Sequence, residues 1–228
     1  MLSLSVLMRS MVPTEALSMT KMIQVLREEH RNLEELLLVL EQELLVFGRG
    51  ERPDYEIIRA VISYFQDYPD CCHHPKEDMI FEKLKVRDPV AAESVGDLEV
   101  EHHNERTRLQ RVADMIRLVL TNHDVPGQRF DHIMGDFIEQ ERRHIKMEER
   151  LVFSAAANAL QSEDWAEIDA RWSEARDSLF NVAIEERCQS LRERILRWER
   201  GNWKTTHSST SEQPVSRVGE PTSPLRET

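Results

Sequence analysis

The chemistry available to this sequence rests on four histidines and two glutamates: His30, His73, His102, His144, Glu77 and Glu148. His73 precedes Glu77 by four positions, and His144 precedes Glu148 by the same step. On a helix that spacing puts imidazole and carboxylate on one face, a turn apart. Such groups meeting in an apolar interior need compensation, because buried charge is costly. A divalent or trivalent metal supplies it. Four imidazoles and two carboxylates suit two iron ions, or manganese, bridged by the glutamates. A single structural zinc would need only four ligands, often cysteines.

The elements that must position these residues are helices. Ile23, Leu26, His30, Leu33, Leu37, Leu40 and Leu44 alternate steps of three and four, the inward stripe of a bundle helix. GRGERP at 48–53 ends it. A second helix is predicted from the N-cap Asp54 to Lys85, with Ile58, Val61, Ile62 and Phe65 inward, then His73, Glu77, Ile80 and Leu84. A third is predicted from Val90 to Asn122, with Leu98, His102, Glu105, Leu109, Val112, Ile116 and Val119 inward. HDVPG at 123–127 is a turn signal, and a fourth helix follows from Gln128 to Leu160, with Phe137, His144 and Leu151 in one heptad series. Short connections imply antiparallel neighbours, so the fold class is all-α: an up-down-up-down four-helix bundle with additional C-terminal helices. Residue counts from each turn, at about 1.5 Å per residue, bring the four histidines within about one turn of the same depth. Unrelated core histidines have no reason to align in this way.

The bundle accounts for residues 21–160. Residues 1–20 read as a poorly ordered extension that lacks the basic start of a signal peptide. Residues 161–200 read as helices packed on the bundle, with a break near 178–181, and the Ser-, Thr- and Pro-rich stretch 201–228 as a disordered tail. A net charge of −12 without a basic stripe argues against nucleic acid. No apolar run approaches the length of a membrane span. Three cysteines, Cys71, Cys72 and Cys188, form no spaced framework and suit a reducing cytoplasm.

The segments HRNLEELL (30–37), HHPKEDMIF (73–81), LEVEHHNE (98–105) and HIKMEERLVFSAA (144–156) together resemble the hemerythrin-like family, the HHE cation-binding domains. The resemblance covers about residues 22–160. It implies a four-helix bundle with a non-haem di-iron centre that binds oxygen or nitric oxide or takes part in iron handling. By position it implies His30, His73, Glu77, His102, His144 and Glu148 as ligands. The oxygen carriers have a further histidine where this chain has Arg106, which turns the expectation from simple oxygen carriage towards an open or water-filled position. Glu149 matches the carriers' carboxylate spacing, so Glu148 and Glu149 stay open as alternatives.

The expected function is therefore binding or sensing of O2 or NO, by a ligand-binding protein rather than an enzyme, with a redox or output partner that the sequence does not identify. Iron donation to iron–sulfur clusters, or peroxide or NO reduction at the same centre, is the alternative. A metal-free helical interaction module is a third reading. Within the doublets, phase predicts His73 and His102 inward, with His74 flanking and His103 outward; Pro75 can disturb that phase locally. Glu34 and Glu141 are candidates for hydrogen bonds to ligand imidazoles or for a solvated edge. Cys71, Cys72, Tyr64 and Tyr68 read as packing residues.

Overall fold

The computed structural model describes residues 14–121, 127–176 and 179–208, and these are helical apart from short connections. Helix α1 spans Thr14–Gly48. The second bundle helix is one rod of three parts: α2 (Tyr55–Tyr68), a π-helical turn (Pro69–His73) and α3 (His74–Arg87). A short α4 (Pro89–Val95) leads into α5 (Leu98–Leu120). The next rod is α6 (Gly127–Met147), a second π-helical turn (Glu148–Val152) and α7 (Phe153–Ala159). Helices α8 (Ser162–Arg176) and α9 (Leu179–Ser208) follow.

Local chemistry fixes these boundaries. The Asp54 carboxylate accepts from the backbone N–H groups of Glu56 and Ile57 at 3.1 and 3.2 Å, which caps α2. The Asp54 N–H in turn donates to Glu43 at 2.6 Å, which ties the cap to α1. The helix expected from Val90 is interrupted. Gly96 takes φ 92°, a left-handed conformation open to glycine, and Asp97 starts a new helix by accepting from Val100 N–H. Asp88 caps α4 in the same manner, with Pro89 at its first position.

Packing divides the interior into two apolar clusters. One contains Leu33, Leu36, Leu37 and Leu40 of α1, Ile57 to Phe65 residues of α2, Leu109, Val112 and Ile116 of α5, and Phe130, Met134 and Phe137 of α6. The other contains Met22, Ile23 and Leu26, then Ile80, Phe81 and Leu84, then Leu98, then Val152, Phe153 and Ala156. From one bundle helix to the next the order of the two clusters along the chain reverses. Each fully buried leucine stabilises by about 1.5–3 kcal/mol. In α1, His30 lies between the clusters. So do His73, His74 and Glu77, His102 and Glu105, and His144 and Glu148 on the other rods.

Helix α1 contacts α2 and α6, and α5 contacts the same two. Helix α9 lies against α2, and α8 against α1 and α3, so the C-terminal helices sit outside the bundle. Helix α1 begins inside the stretch read as an extension, and α9 runs past Gly201 to Ser208. Residues 1–13, 122–126 and 209–228, with the outer parts of the predicted extension and tail and most of the predicted turn, lie outside the described residues. The predicted break falls between α8 and α9, at positions partly outside them. No described helix is long and apolar enough to cross a membrane.

Candidate metal centre

Between the two clusters lies a polar layer. His30, His73, His102 and His144 are buried, and Glu77 and Glu148 are fully buried. Glu77 divides its oxygens. Its Oε1 lies 3.5 Å from His30 Nε2 and 3.2 Å from His73 Nε2, while Oε2 lies 3.6 Å from His102 Nε2. Glu148 does the same, with Oε2 at 3.2 Å from His30 and Oε1 at 3.5 Å from His102 and 3.0 Å from His144. Each carboxylate thus faces two groups of imidazoles, one oxygen to each.

The first group is His30, His73, Glu77 and Glu148; the second is His74, His102 and His144. Within each, the potential ligand atoms lie within 4.8 Å of one another. Both oxygens of Glu77 and of Glu148 lack a hydrogen-bond partner, as do His30 Nε2, His102 Nε2, His144 Nε2 and Glu105 Oε2. Orphaned buried polar atoms are rare and costly. A cluster of them, all imidazole nitrogen and carboxylate oxygen and all facing one space, fits metal ions.

Except in His144, the outer nitrogens are held by carboxylates. His73 Nδ1 is 2.8 Å from Glu29, and His30 Nδ1 is 3.2 Å from Glu149. His102 Nδ1 faces Asp78 at 3.5 Å. An Nδ1–H donated outward leaves the Nε2 lone pair facing inward, the tautomer that binds metal. Glu149 therefore sits on the outer side of His30, and Glu148 on the inner side. The His30 ring stacks on Phe153 at 5.5 Å, which walls this side with hydrocarbon.

Charges follow the geometry. Burial opposes the cationic form of His30, but Glu148 and Glu77 outweigh it and raise its pKa to about 10. Burial likewise opposes His102, but Asp78, Glu148 and Glu77 raise it to about 12. Burial would raise Glu77, yet the imidazoles hold it well below the ordinary carboxylate value. Glu141 goes the other way: burial and the adjacent Glu105 carboxylate push it well above the ordinary carboxylate value.

The doublet at 73 and 74 departs from the heptad expectation. His102 is inward and His103 exposed, as phase predicts. At 73/74 both rings are buried, at 2% and 4% exposure. The reason is the π-helical turn, whose i→i+5 bond from His74 N–H to Pro69 O fits an extra residue into the turn. The helical phase that made His74 a flanking residue therefore does not hold. His74 is no flanking residue; its ring stacks on His102 with centroids 3.8 Å apart.

The second π-helical turn has a similar effect. It closes with Phe153 N–H on Glu148 O, turning Val152 fully inward and leaving Leu151 47% exposed, against its predicted core position. Glu34 pairs with Arg142 at 2.8 Å, away from the imidazoles. Sequence reasoning also missed Glu29 and Lys76. Lys76 is 2% exposed, ion-paired to Glu29, and sits 4.6 Å from the Trp172 ring centroid. Glu29 lies one position before His30, and no periodicity marks it as a partner of a helix far along the chain. Tyr64, Tyr68 and Cys72 are buried in the apolar cluster, as packing residues.

Compared with known families, residues 21–156 match the profile described as the Hemerythrin HHE cation binding domain. No curated protein and no solved structure matches the chain.

Proposed function

The chain belongs to the hemerythrin HHE cation-binding domain family, and on that premise we propose that it binds or senses O2 or NO at a non-haem di-iron centre. The observation that carries this reading is the division of Glu77 and Glu148, each with one oxygen towards either imidazole group. His30 and His73 would hold one ion, His102 and His144 the other, with the two glutamates shared. Two iron ions so held supply one-electron redox changes and a place for a small diatomic ligand.

The protein's own part is orientation and exclusion. Glu29, Glu149 and Asp78 fix three imidazoles through Nδ1. Phe153 and the flanking apolar clusters keep bulk water from the layer. The site is buried, so its ligand is small. Manganese satisfies the same donor set. We place the protein in the cytoplasm, where its three free cysteines stay reduced.

The test is anaerobic iron loading followed by elemental analysis and visible spectra with O2, NO and azide. About two irons per chain and a ligand-dependent charge-transfer band are expected. One zinc per chain, with no iron under any loading, overturns the reading. Turnover of peroxide or NO with a reductant, without a stable ligand complex, would instead make the same centre an enzyme.

A further inference from the structure

His74 lies outside both histidine–glutamate pairs, yet its ring is built into the second imidazole group. Its Nε2 points into the layer, 3.2 Å from Glu105 Oε2, itself an orphaned buried atom. Its Nδ1 lies 3.2 Å from Asp70 Oδ1. That same oxygen accepts from Arg106 Nη1 at 3.0 Å. The ring is further fixed by stacking on His102, and it meets His144 edge to face at 6.3 Å. The three imidazoles come from three rods: α3, α5 and α6.

We infer that His74 is a ligand of the second metal ion, and that Asp70 and Arg106 form the anchor that orients it. Three features carry this. The ligand atoms of His74, His102 and His144 converge within 4.8 Å. The outward Nδ1 is held by a carboxylate, as it is in His30 and His73. The π-helical turn at Pro69–His73 is what brings His74 inward; such turns recur at functional sites because they re-aim side chains at a cost in helix regularity. Arg106 is thus a positioning residue. It neutralises Asp70 and fixes the carboxylate against the imidazole, without reaching the layer. Glu105, one residue earlier on α5, faces both His74 and His144, the latter at 3.6 Å, and supplies negative charge on the same side.

The inference rests on the di-metal reading, and the experiment separates the two. Full-length protein is loaded anaerobically with Co2+, whose visible spectrum reports coordination number, and bound metal is counted by elemental analysis. Wild-type protein that binds no metal at all defeats the di-metal reading itself. With wild type at about two ions, His74→Ala and the bulkier His74→Gln should each hold about one, with unchanged helical circular dichroism. His103→Ala, an exposed neighbour, should keep both. Asp70→Asn and Arg106→Ala should keep the stoichiometry and weaken the second binding step about 10–100-fold. Both His74 variants retaining two ions with the wild-type spectrum would overturn the assignment. So would loss of both ions together, which would make His74 a support of the whole layer.

Discussion

At the scale of single residues, the polar layer is a set of charges that a metal ion replaces. Without metal, the cationic forms of His30, His74 and His102 persist to about 10, 9 and 12, because in each case facing carboxylates outweigh burial. Those protons sit on the nitrogens that a metal needs. Metal loading at pH 7 should therefore release more than about one proton per ion, measured by titration calorimetry in buffers of different ionisation enthalpy. The sign is fixed: affinity rises with pH and falls as acid returns the protons. Release of no protons would mean that the imidazoles are already neutral, contrary to their surroundings.

Lys76 tests a different link. It is buried against Glu29, whose other oxygen meets His73. Removing one partner of a buried pair strands the other and costs about 3–5 kcal/mol. Lys76→Met alone should lose about that much in urea unfolding, and Lys76→Met with Glu29→Gln should recover most of it. A double-variant loss equal to the sum of the Lys76→Met and Glu29→Gln losses would show that the two are not coupled.

At the scale of elements, the bundle helices were legible because their stripes are long and regular, and the depth of the four histidines followed from counting. The two π-helical turns were not legible to the same degree. Pro75 signals the first, since a proline in a helix lacks the N–H and crowds the preceding turn. The second has no such mark, so the heptad from Phe137 through His144 ran on to Leu151 and put it in the core. Gly96 was a readable stop, but α4 is too short for periodicity to reveal it. Long-range carboxylate partners such as Glu29 for His73 depend on the fold itself. The first π-helical turn carries its own prediction. Deleting Cys71 removes its extra residue and should restore α-helical phase, so that His73 and His74 no longer both face inward. Helical content should persist while bound metal falls below the wild-type value. A deletion variant with full metal content would show that the turn does not set the doublet.

At the scale of the whole molecule, the C-terminal helices complete the apolar packing. Trp165 and Ile168 of α8 are buried at 1% and 0% in the same cluster as Leu26 and Leu84, and Cys188 and Ile195 of α9 join the other cluster. Arg87 holds α8 to α3 through two bonds to Asp164, at 2.7 and 3.0 Å. Trp165→Ala should cost about 3–5 kcal/mol of stability, read by chemical denaturation. Truncation after residue 200 spares each of these contacts and should leave metal content unchanged. Loss of iron on that truncation would mean that the tail reaches the centre.

The polar layer between the two apolar clusters has a consequence for cooperativity. The two apolar clusters are distinct, with the polar layer between them, so each half would lose its packing with little reward or penalty from the other. Ions bound by residues of all four bundle rods would lock the halves into a single unit. Differential scanning calorimetry of metal-free protein should then show a broad or doubled heat-absorption peak, with a van't Hoff enthalpy well below the calorimetric one. The loaded protein should melt higher, in one sharp peak with the two enthalpies equal. The centre would then act as the rivet that makes one folding domain out of two half-cores.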